Sequence, residues 1–467
     1  MSAEAPMPPA GSGDGRTASF WTRDRVAAAL GGGPRGGEPL GRVWTDTRTV
    51  QPGDLFVALT GPNFDGHEFL AAAEERGAAG VVISAADRAA GLRIPVYVVR
   101  DTLSALGALA RARRRAWGGP VVGVVGSNGK TSTRELLRAA LSATRRVHAS
   151  AANFNNLVGV PRTLLDLPDD AEVAVVEMGT NQPGEIAALR AIAEPDVVVV
   201  TSIAEEHLEG LGDLDGVMRE ELSACDGVAL VIVPAGQPAV VAEARKRADR
   251  VVSAGLDAGD LRAERWHLDD EGFGVAVVAG TEVRPPARGR HQLENAMLVM
   301  AAASACGVSA ADAARGLATA RLPGMRGSVE QLGRLTLIND SYNANPHSML
   351  AALELLTRLG AAAGRQRVAV LGTMREMGVQ THRVHDAVAA AALASPVEVL
   401  VGIGEMGDAL ARAGGAPSRV IPAADPTAAW AALAPRLAPN AVILLKASRG
   451  VRLEQLVPAI AAWAASA

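Results

Sequence analysis

Short runs of valine, isoleucine and leucine recur along the chain, each bounded by glycine or proline and followed by a stretch with helical spacing. Two of these runs, residues 121–125 and 197–201, are apolar at nearly every position, which is typical of strands covered on both faces of a sheet. The same kind of run occurs at residues 173–177, 228–233, 368–371, 399–401 and 442–445. Such strands alternate with helices in parallel sheets. The sequence therefore predicts an α/β fold.

The domain organisation follows from the length and from the breaks between these runs. The chain has 467 residues, which is too many for one compact core. Shorter strand candidates between residues 43 and 99 predict a small first domain, and a break is also predicted at Leu322-Pro323-Gly324. The predicted division is a disordered tail over residues 1–20, followed by domains over residues 21–118, 119–321 and 322–467.

Composition excludes several classes of protein. Hydrophobic residues make up 49% and charged residues 21%, which excludes a fibrous or wholly disordered chain. The net charge of -4 gives no reason to expect nucleic acid as a partner. Every apolar run is far shorter than the roughly 18 residues that cross a bilayer, so no membrane span is expected.

Cys225 and Cys306 cannot build a disulfide framework, which fits a reducing compartment. We expect a cytoplasmic protein and a monomer.

The few lysines are informative. Of 46 basic residues only three are lysines, namely Lys130, Lys246 and Lys446. Codon bias in a GC-rich genome explains the excess of arginine. A lysine that persists against this bias is expected where a compact, flexible ammonium is needed. Lys130 and Lys446 lie in motif-like surroundings, whereas Lys246 lies in a charged stretch that is typical of a solvated helix face.

A glycine-rich turn separates the predicted strand at residues 121–125 from a helix-compatible stretch at residues 133–142. Backbone N–H groups, a helix dipole and an ammonium converge at such a turn, which predicts a phosphate-binding loop. Its residues are Gly126, Ser127, Asn128, Gly129, Lys130, Thr131 and Ser132. Lys130 is predicted to contact the β- and γ-phosphates, and Thr131 to bind Mg²⁺. The spacing departs from the standard Walker pattern, and the alternative is a glycine-rich turn that contains a lysine by chance.

This variant loop resembles that of the ATP-dependent Mur ligases of peptidoglycan synthesis. The resemblance covers about residues 40 to 455. It implies a small N-terminal domain for a UDP substrate, a central ATP-binding domain and a Rossmann-like C-terminal ligase domain. It also implies a reaction in which a substrate carboxylate attacks ATP and an amine then displaces phosphate from the acyl phosphate. ATP and Mg²⁺ are the implied cofactors.

The resemblance implies further catalytic residues in the central domain besides Lys130. Glu177 ends a predicted parallel strand, where a hard oxygen ligand suits Mg²⁺. His207, in His207-Leu208-Glu209-Gly210, is similar to the family's H-x-E motif and implies a second metal or phosphate contact. Asn156, in an asparagine-rich loop, is implied to lie near the substrate carboxyl group and the phosphates.

The chain departs from the family at a catalytic position. The family usually carries a carbamoylated lysine about a dozen residues after the histidine, and Glu221 stands at that position here. We hypothesise that the carboxylate of Glu221 replaces the carbamate beside Mg²⁺. The alternative is a helix-surface acid and a weakened metal site.

The C-terminal domain completes the implied nucleotide site. The segment from Asp340 to Met349 is similar to the form found in the ligase that adds D-alanyl-D-alanine, and it is the most discriminating motif of the chain. The implied nucleotide contacts are Asn295 at adenine, Arg326, Asp340 at the ribose, Asn343 and Asn345 at the purine and the domain seam, and Lys446 at the γ-phosphate.

The implied substrates are UDP-N-acetylmuramoyl-tripeptide and D-alanyl-D-alanine. Thr47 and Arg48 are implied to hold the uridine diphosphate, and Ser448 and Arg449 resemble the substrate-binding end of the family's K-G-S-R motif. Two alternatives stay open. One is a ligase that adds L-lysine or a diaminopimelate as the third residue, although the D-N-P-R-like run of such ligases is absent from the sequence. The other is a nucleotide-binding pseudoenzyme that has lost turnover together with the carbamoylated lysine.

Overall fold

A computed structural model describes residues 20–361 and 364–466 of the chain. It divides into two compact units, Met1–Arg113 and Arg114–Ala467. The disordered tail predicted for residues 1–20 lies outside the described residues except for Phe20. In the part of the chain that is described, no helix has the length and apolar character needed to cross a membrane.

The first unit is built on a parallel sheet of four strands in the order β1-β2-β5-β6. Its elements are α1 (Arg23–Leu30), β1 (Val43–Trp44), β2 (Leu55–Val57), β3 (Thr60–Gly61), β4 (Phe64–Asp65), α2 (Leu70–Glu75), β5 (Gly80–Ile83) and β6 (Val96–Val98). Trp44, Phe56 and Ile83 lie in its buried core. The boundary between the units falls within the following helix, α3 (Thr102–Trp117).

The second unit contains two large sheets, and the first is entirely parallel. Its seven strands have the order β13-β12-β11-β10-β7-β9-β8, so that β7 lies next to both β9 and β10. This part of the chain also contains a small antiparallel sheet of three strands in the order β14-β15-β16. Its elements in chain order are β7 (Val121–Val125), α4 (Lys130–Ser142), β8 (Val147–Ala149), α5 (Gly159–Leu165), β9 (Val173–Glu177), α6 (Glu185–Ala193), β10 (Val197–Val200), α7 (Leu208–Leu211), α8 (Leu214–Leu222), β11 (Leu230–Pro234), α9 (Pro238–Ala244), β12 (Val251–Gly255), β13 (Leu261–Arg262), β14 (Arg265–Leu268), β15 (Gly274–Val278), β16 (Thr281–Val283), α10 (Arg290–Ala305) and α11 (Ala310–Leu317). Every residue of β7, β9 and β10 is buried, which explains their unbroken apolar sequences.

The second large sheet has six strands in the order β17-β18-β22-β19-β20-β21, and only the β17–β18 pair is antiparallel. Its elements are β17 (Ser328–Leu332), β18 (Leu335–Asp340), α12 (Pro346–Ala361), β19 (Arg367–Gly372), α13 (Thr381–Ala394), β20 (Val399–Ile403), α14 (Glu405–Arg412), β21 (Val420–Ala423), α15 (Pro426–Leu433), β22 (Val442–Lys446) and α16 (Leu456–Ser466). Neighbouring strands β18 and β22 run in register, which pairs Asp340 with Lys446 at their carboxyl ends.

The predicted elements agree closely with these bounds. The predicted α/β class is confirmed, and the strand over residues 121–125 has the bounds that the sequence predicts. Helix α4 begins at Lys130 rather than at residue 133, because Gly129 adopts a left-handed conformation (φ 87°) from which the helix starts directly. The predicted domain boundaries at residues 118 and 321 stay predictions, since the structure groups the two large sheets into one compact unit.

Candidate active site

A cavity of about 790 Å³ lies within the second unit, where the carboxyl ends of strands from both large sheets meet. This is the edge at which open α/β sheets bind ligands, and the volume suits a nucleotide. The predicted site residues that line it are Ser127, Asn128, Gly129, Lys130, Thr131, Ser132, Asn156, Glu177, His207, Asn295, Arg326, Asp340, Asn343 and Lys446. The structure therefore brings together residues that are more than 300 positions apart in the sequence.

The phosphate loop is held tightly against the end of β10. Ser127 N donates to the carbonyl of Ser202 at 2.6 Å, and Ser127 Oγ donates to the carbonyl of Ala204 at 3.0 Å. Gly126 has φ 116°, and a Cβ there would lie only 2.5 Å from Thr201 Oγ1. The glycine is therefore required both by the backbone conformation and by the neighbouring strand. These contacts hold the loop in one conformation.

The ammonium of Lys130 points back into this loop. Its Nζ donates to the carbonyl of Gly126, lies 3.4 Å from the carbonyl of Ser127 and is 3.7 Å from Glu206 Oε1. Burial by itself lowers the pKa of Lys130, but the charges of Glu206 and Glu221 outweigh it and raise the pKa above the usual value. Lys130 is therefore a cation at neutral pH.

The carboxylate of Glu177 is held by three side chains. Thr131 Oγ1 donates to its Oε1 at 3.3 Å, Asn155 Nδ2 donates to the same oxygen at 2.9 Å, and Arg134 Nη1 donates to Oε2 at 3.0 Å. The side chains of Arg134 and Glu177 are 1% and 2% exposed, so this ion pair is buried. The predicted metal ligands Thr131 and Glu177 thus lie together, in an orientation that Arg134 fixes.

His207 bridges the two large sheets. It has a left-handed backbone (φ 49°), and its Nδ1 is hydrogen-bonded to Glu376, which follows β19 of the second sheet. The backbone N–H of Glu209 donates to the carbonyl of Glu376 at 2.9 Å. Burial lowers the pKa of His207, but the bond to Glu376 and the charge of Glu206 more than offset this and raise the pKa.

Glu221 is completely buried, so the alternative of a helix-surface acid is wrong. Gly126 N donates to its Oε2 at 2.7 Å, while its Oε1 has no hydrogen-bond partner. Burial raises the pKa of Glu221 to about 7. The carboxylate does not belong to the cavity lining among the described residues. Its observed contact is with the phosphate loop, and its role at a metal stays a prediction.

On the opposite wall, Asp340 and Lys446 form an ion pair. Lys446 Nζ lies 2.7 Å from Asp340 Oδ2 and donates to the carbonyl of Asn343 at 2.7 Å. Burial raises the pKa of Asp340, against the lowering effect of Lys446. The guanidinium of Arg326 stacks over the ring of Tyr342 at 4.0 Å. These contacts form a polar surface that faces the phosphate loop across the cavity.

Two asparagines connect helices to the phosphate loop. Asn345, which precedes α12, donates from Nδ2 to Asn128 Oδ1 at 2.9 Å. Asn295, on α10, lies so close to Gly129 that a Cβ there would be 2.8 Å from its Nδ2. Asn345 contacts the phosphate loop and is not among the described residues that line the cavity, and its predicted role at the purine and the domain seam stays a prediction.

Four predicted substrate residues are not among the described residues that line the cavity. Ser448 Oγ accepts a hydrogen bond from Arg375 N at 2.9 Å, and Arg449 contacts the sulfur of Met325 at 2.9 Å. Thr47 and Arg48 belong to the first unit, where Arg48 Nη2 donates to Asp46 at 2.7 Å. Their predicted roles in substrate binding stay predictions.

Sequence reasoning missed several residues that the structure brings to the site. Glu206 lines the cavity and is 3% exposed, while Arg134 and Asn155 hold Glu177 and Glu376 contacts His207. Glu206 directly precedes the recognised histidine, and Arg134 lies one helical turn after Lys130. Position beside a motif was the only available signal for either residue.

The donor set fits Mg²⁺ bound together with a nucleotide. Within residues 20–361 and 364–466, no three carboxylate, imidazole or thiol groups converge into a complete metal cage. Mg²⁺ usually takes one or two carboxylates and completes its shell with phosphate oxygens and water. The hydroxyl of Thr131 and the carboxylate of Glu177 are suitable oxygen ligands of this kind.

The comparisons with known proteins agree with this geometry. Three family models match, described as the Mur ligase family catalytic domain at residues 41–114, the Mur ligase middle domain at residues 124–303 and the Mur ligase glutamate ligase domain at residues 326–449. The chain belongs to the Mur ligase family, as its motifs predict. A curated relative from Bacillus subtilis, the UDP-N-acetylmuramoyl-tripeptide--D-alanyl-D-alanine ligase, is 34% identical over 425 residues, covering 89% of this chain and 92% of the relative.

Solved structures give the same result. MurF from Acinetobacter baumannii superposes with a TM-score of 0.87 at 28% identity, covering 94% of this chain and 98% of that one. MurF ligase from Thermotoga maritima in complex with ADP has a TM-score of 0.80 at 25% identity, covering 91% and 98%. The predicted three-domain Mur ligase fold is confirmed.

Proposed function

We propose that this protein is the ATP-dependent ligase that joins D-alanyl-D-alanine to UDP-N-acetylmuramoyl-tripeptide, with release of ADP and phosphate. The observation that carries the proposal is the position of the phosphate loop opposite the Asp340–Lys446 pair in one cavity. The predicted activity is also the one named for the Bacillus subtilis relative, and its substrates come to this chain by that similarity.

The first chemical step depends on neutralisation of the phosphate charge more than on covalent catalysis by the protein. Lys130 and the backbone N–H groups of the loop hold the phosphates of ATP, while a carboxylate of the tripeptide attacks the γ-phosphorus. Bound Mg²⁺ supplies neutralisation of the phosphate charge. Thr131 and Glu177 are the residues that would hold it, and Arg134 keeps Glu177 in the required orientation.

The second step forms the amide bond. The amino group of the dipeptide attacks the acyl carbon, loses its proton, and phosphate departs. An acyl phosphate hydrolyses in water, so the walls of the cavity must exclude water while it exists. The contacts of His207 with Glu376 and of Asn345 with Asn128 join the two large sheets on either side of the cavity. They support a closed arrangement during this step.

The remaining assignments rest on the family resemblance. Thr47 and Arg48 would bind the uridine diphosphate of the substrate, and Asn156 its carboxyl end. Asn295 and Arg326 would contact the nucleotide, and Ser448 and Arg449 the peptide. We further propose that the enzyme works in the cytoplasm, as a monomer, and with Mg²⁺ as its cation.

Phosphate release from ATP tests the activity. The assay contains Mg²⁺ and UDP-N-acetylmuramoyl-tripeptide, and the amine is D-alanyl-D-alanine, D-alanine, L-lysine or diaminopimelate. We expect phosphate release only when the amine is D-alanyl-D-alanine. UDP-N-acetylmuramoyl-L-alanyl-D-glutamate, the substrate of the ligase that adds the third residue, serves as the acceptor control and should give no release.

The same assay separates the two alternatives. Phosphate release with a diamino acid as the amine and UDP-N-acetylmuramoyl-L-alanyl-D-glutamate as the acceptor would mean a ligase that adds the third residue. Nucleotide binding with background release in every combination would mean a pseudoenzyme. Product mass settles which amide bond was formed.

A further inference from the structure

The imidazole of His207 is oriented by a residue of the other large sheet. Its Nδ1 is hydrogen-bonded to the carboxylate of Glu376, which follows β19 and is 169 positions away in the sequence. This bond holds the pKa of Glu376 below its usual value, so the carboxyl group is ionised and can only accept. Nδ1 is therefore the donor. The other nitrogen, Nε2, lies 3.8 Å from Oε2 of Glu206 in the cavity lining and is the one left for a ligand.

Both partners of this bond have an unusual backbone. His207 has φ 49° and Glu376 has φ 63°, in the left-handed region that residues other than glycine seldom adopt. Such conformations persist only where the surrounding structure imposes them, and they cluster at functional sites. The side chain of Glu376 is 52% exposed, and an ion pair at that exposure adds little stability. A contribution to stability therefore does not explain the arrangement.

The loop that follows β19 fixes Glu376 to the second sheet on two sides. The buried imidazole of His385, on α13, accepts from the backbone N–H of Met374 at 2.9 Å. On the other side, the backbone N–H of Arg375 donates to Ser448 Oγ at 2.9 Å, just beyond the end of β22. The position of Glu376 therefore follows the position of the second sheet.

A second ion pair joins the same two segments and provides a comparison. Arg383, on α13, pairs with Glu205, which lies two residues before His207. Neither Arg383 nor Glu205 is among the described residues that line the cavity. This pair connects the two sheets without involving an imidazole of the site. Glu376 differs from it because its partner lines the cavity.

We propose that Glu376 is a positioning residue for His207, so that the imidazole has its working orientation only while the second sheet lies against the first. Attack of the substrate carboxylate on ATP is thereby confined to the closed arrangement, in which the acyl phosphate is protected from water. This inference rests on the proposed function, because it assigns His207 to that reaction.

Steady-state kinetics of the full-length protein, followed by phosphate release, separate positioning from simple attachment of the two sheets. Glu376→Ala should lower kcat by at least about tenfold, while KM for ATP changes by less than about threefold. Glu376→Gln has an amide oxygen that still accepts from Nδ1, and it should keep at least about a third of the unchanged kcat. Arg383→Met, the matched control, should leave kcat within about twofold.

Two kinetic results would overturn the inference. One is a kcat of Glu376→Ala within about threefold of the unchanged protein, and the other is equal kcat in Glu376→Ala and Glu376→Gln.

Nitrogen NMR tests the orientation without turnover. In full-length protein labelled with ¹⁵N-histidine, at a pH where the imidazole is neutral, we expect His207 to carry its proton at Nδ1. Its signals are assigned by their loss in His207→Gln. In Glu376→Ala the proton should move toward Nε2, the site that free histidine prefers, whereas Arg383→Met should leave the signals unchanged.

The two measurements distinguish the two proposals. The same His207 tautomer in Glu376→Ala as in the unchanged protein would overturn the positioning role alone. Absence of phosphate release by the unchanged protein with both substrates would overturn the proposed function, whatever the tautomer of His207.

Discussion

Asn345 Nδ2 donates a hydrogen bond of 2.9 Å to Asn128 Oδ1, and thereby ties the start of α12 to the phosphate loop. Asn345 is itself fixed, since its Oδ1 accepts from Ser348 N at 2.9 Å. The second large sheet is therefore connected to the loop through one rigid side chain. The geometry of the nucleotide site depends on where that sheet lies.

Replacing Asn345 by alanine should weaken this connection. The change leaves the half-buried amide of Asn128 without this partner, and one such hydrogen bond contributes about 0.5–1.5 kcal/mol. We expect kcat/KM for ATP to fall by about tenfold, measured by phosphate release. In the double variant Asn128→Ala/Asn345→Ala the loss should be smaller than the sum of the two single losses. Strict additivity would show that the bond makes no contribution.

Lys130→Arg should strongly reduce activity although the charge is kept. The ammonium donates to the carbonyls of Gly126 and Ser127 as a compact point charge, which the longer, planar guanidinium of arginine does not reproduce. We expect a loss of at least about a hundredfold in kcat, with an unchanged circular dichroism spectrum. Lys246→Arg is the matched control, because Lys246 forms an exposed pair with Glu243. Equal activity of both variants would contradict the assigned role of Lys130.

Arg134→Met should destabilise the second unit. Removing one partner of a buried ion pair leaves the other charge uncompensated, which costs about 3–5 kcal/mol. The matched control is Arg138→Met on the same helix, where a 41% exposed side chain pairs with Glu135. That change should cost about 1 kcal/mol or less. Urea unfolding followed by circular dichroism measures both, and similar losses would show that Glu177 does not depend on Arg134.

Glu221 should make stability dependent on pH. Its folded pKa of about 7 exceeds the ordinary value of 4.5, so the folded state holds the proton more strongly. Stability contributed in this way is present at low pH and is lost as the pH rises from 4.5 to about 7. Glu221→Gln should remove that loss, so that the melting temperature changes less with pH. The melting temperature is measured in EDTA without nucleotide.

Glu220→Gln on the same helix is the control for this experiment. Glu220 is also buried, but its oxygens accept from Gly184 N at 2.7 Å and Ile186 N at 2.8 Å. An amide cannot accept at both of its heavy atoms, so this variant should be destabilised by about 1–3 kcal/mol at pH 7. If the melting temperature changes less with pH in both variants, burial alone causes the pH dependence, and the missing hydrogen-bond partner of Glu221 Oε1 does not.

The sequence predicts those parts of the fold that depend on local pattern. Buried parallel strands such as β7 and β9 are recognisable because both of their faces are covered and every position is apolar. The strands β14 and β16 were not predicted, because they are short, partly exposed and carry mixed residues. The strand between them, β15, is a fully buried apolar run that the sequence analysis did not single out.

The candidate site likewise contains some residues that the local sequence predicts and others that it does not. Lys130 and Thr131 are predicted because the loop, its glycines and the following helix are contiguous. Glu206 was missed because its burial depends on how the segment after β10 packs against Ser127, which no local pattern reports. The observed contact of Glu221 with Gly126 joins residues 95 positions apart, so its structural role appears only in the folded chain.

The placement of the lysines makes the protein suited to selective chemical labelling. The side chains of Lys130 and Lys446 are 15% and 3% exposed, whereas that of Lys246 is 70% exposed. These are all the lysines of the chain. An amine-reactive fluorophore should therefore attach to one side chain, that of Lys246, besides the terminal amine. A single reporter could then be installed on the folded enzyme without cysteine engineering.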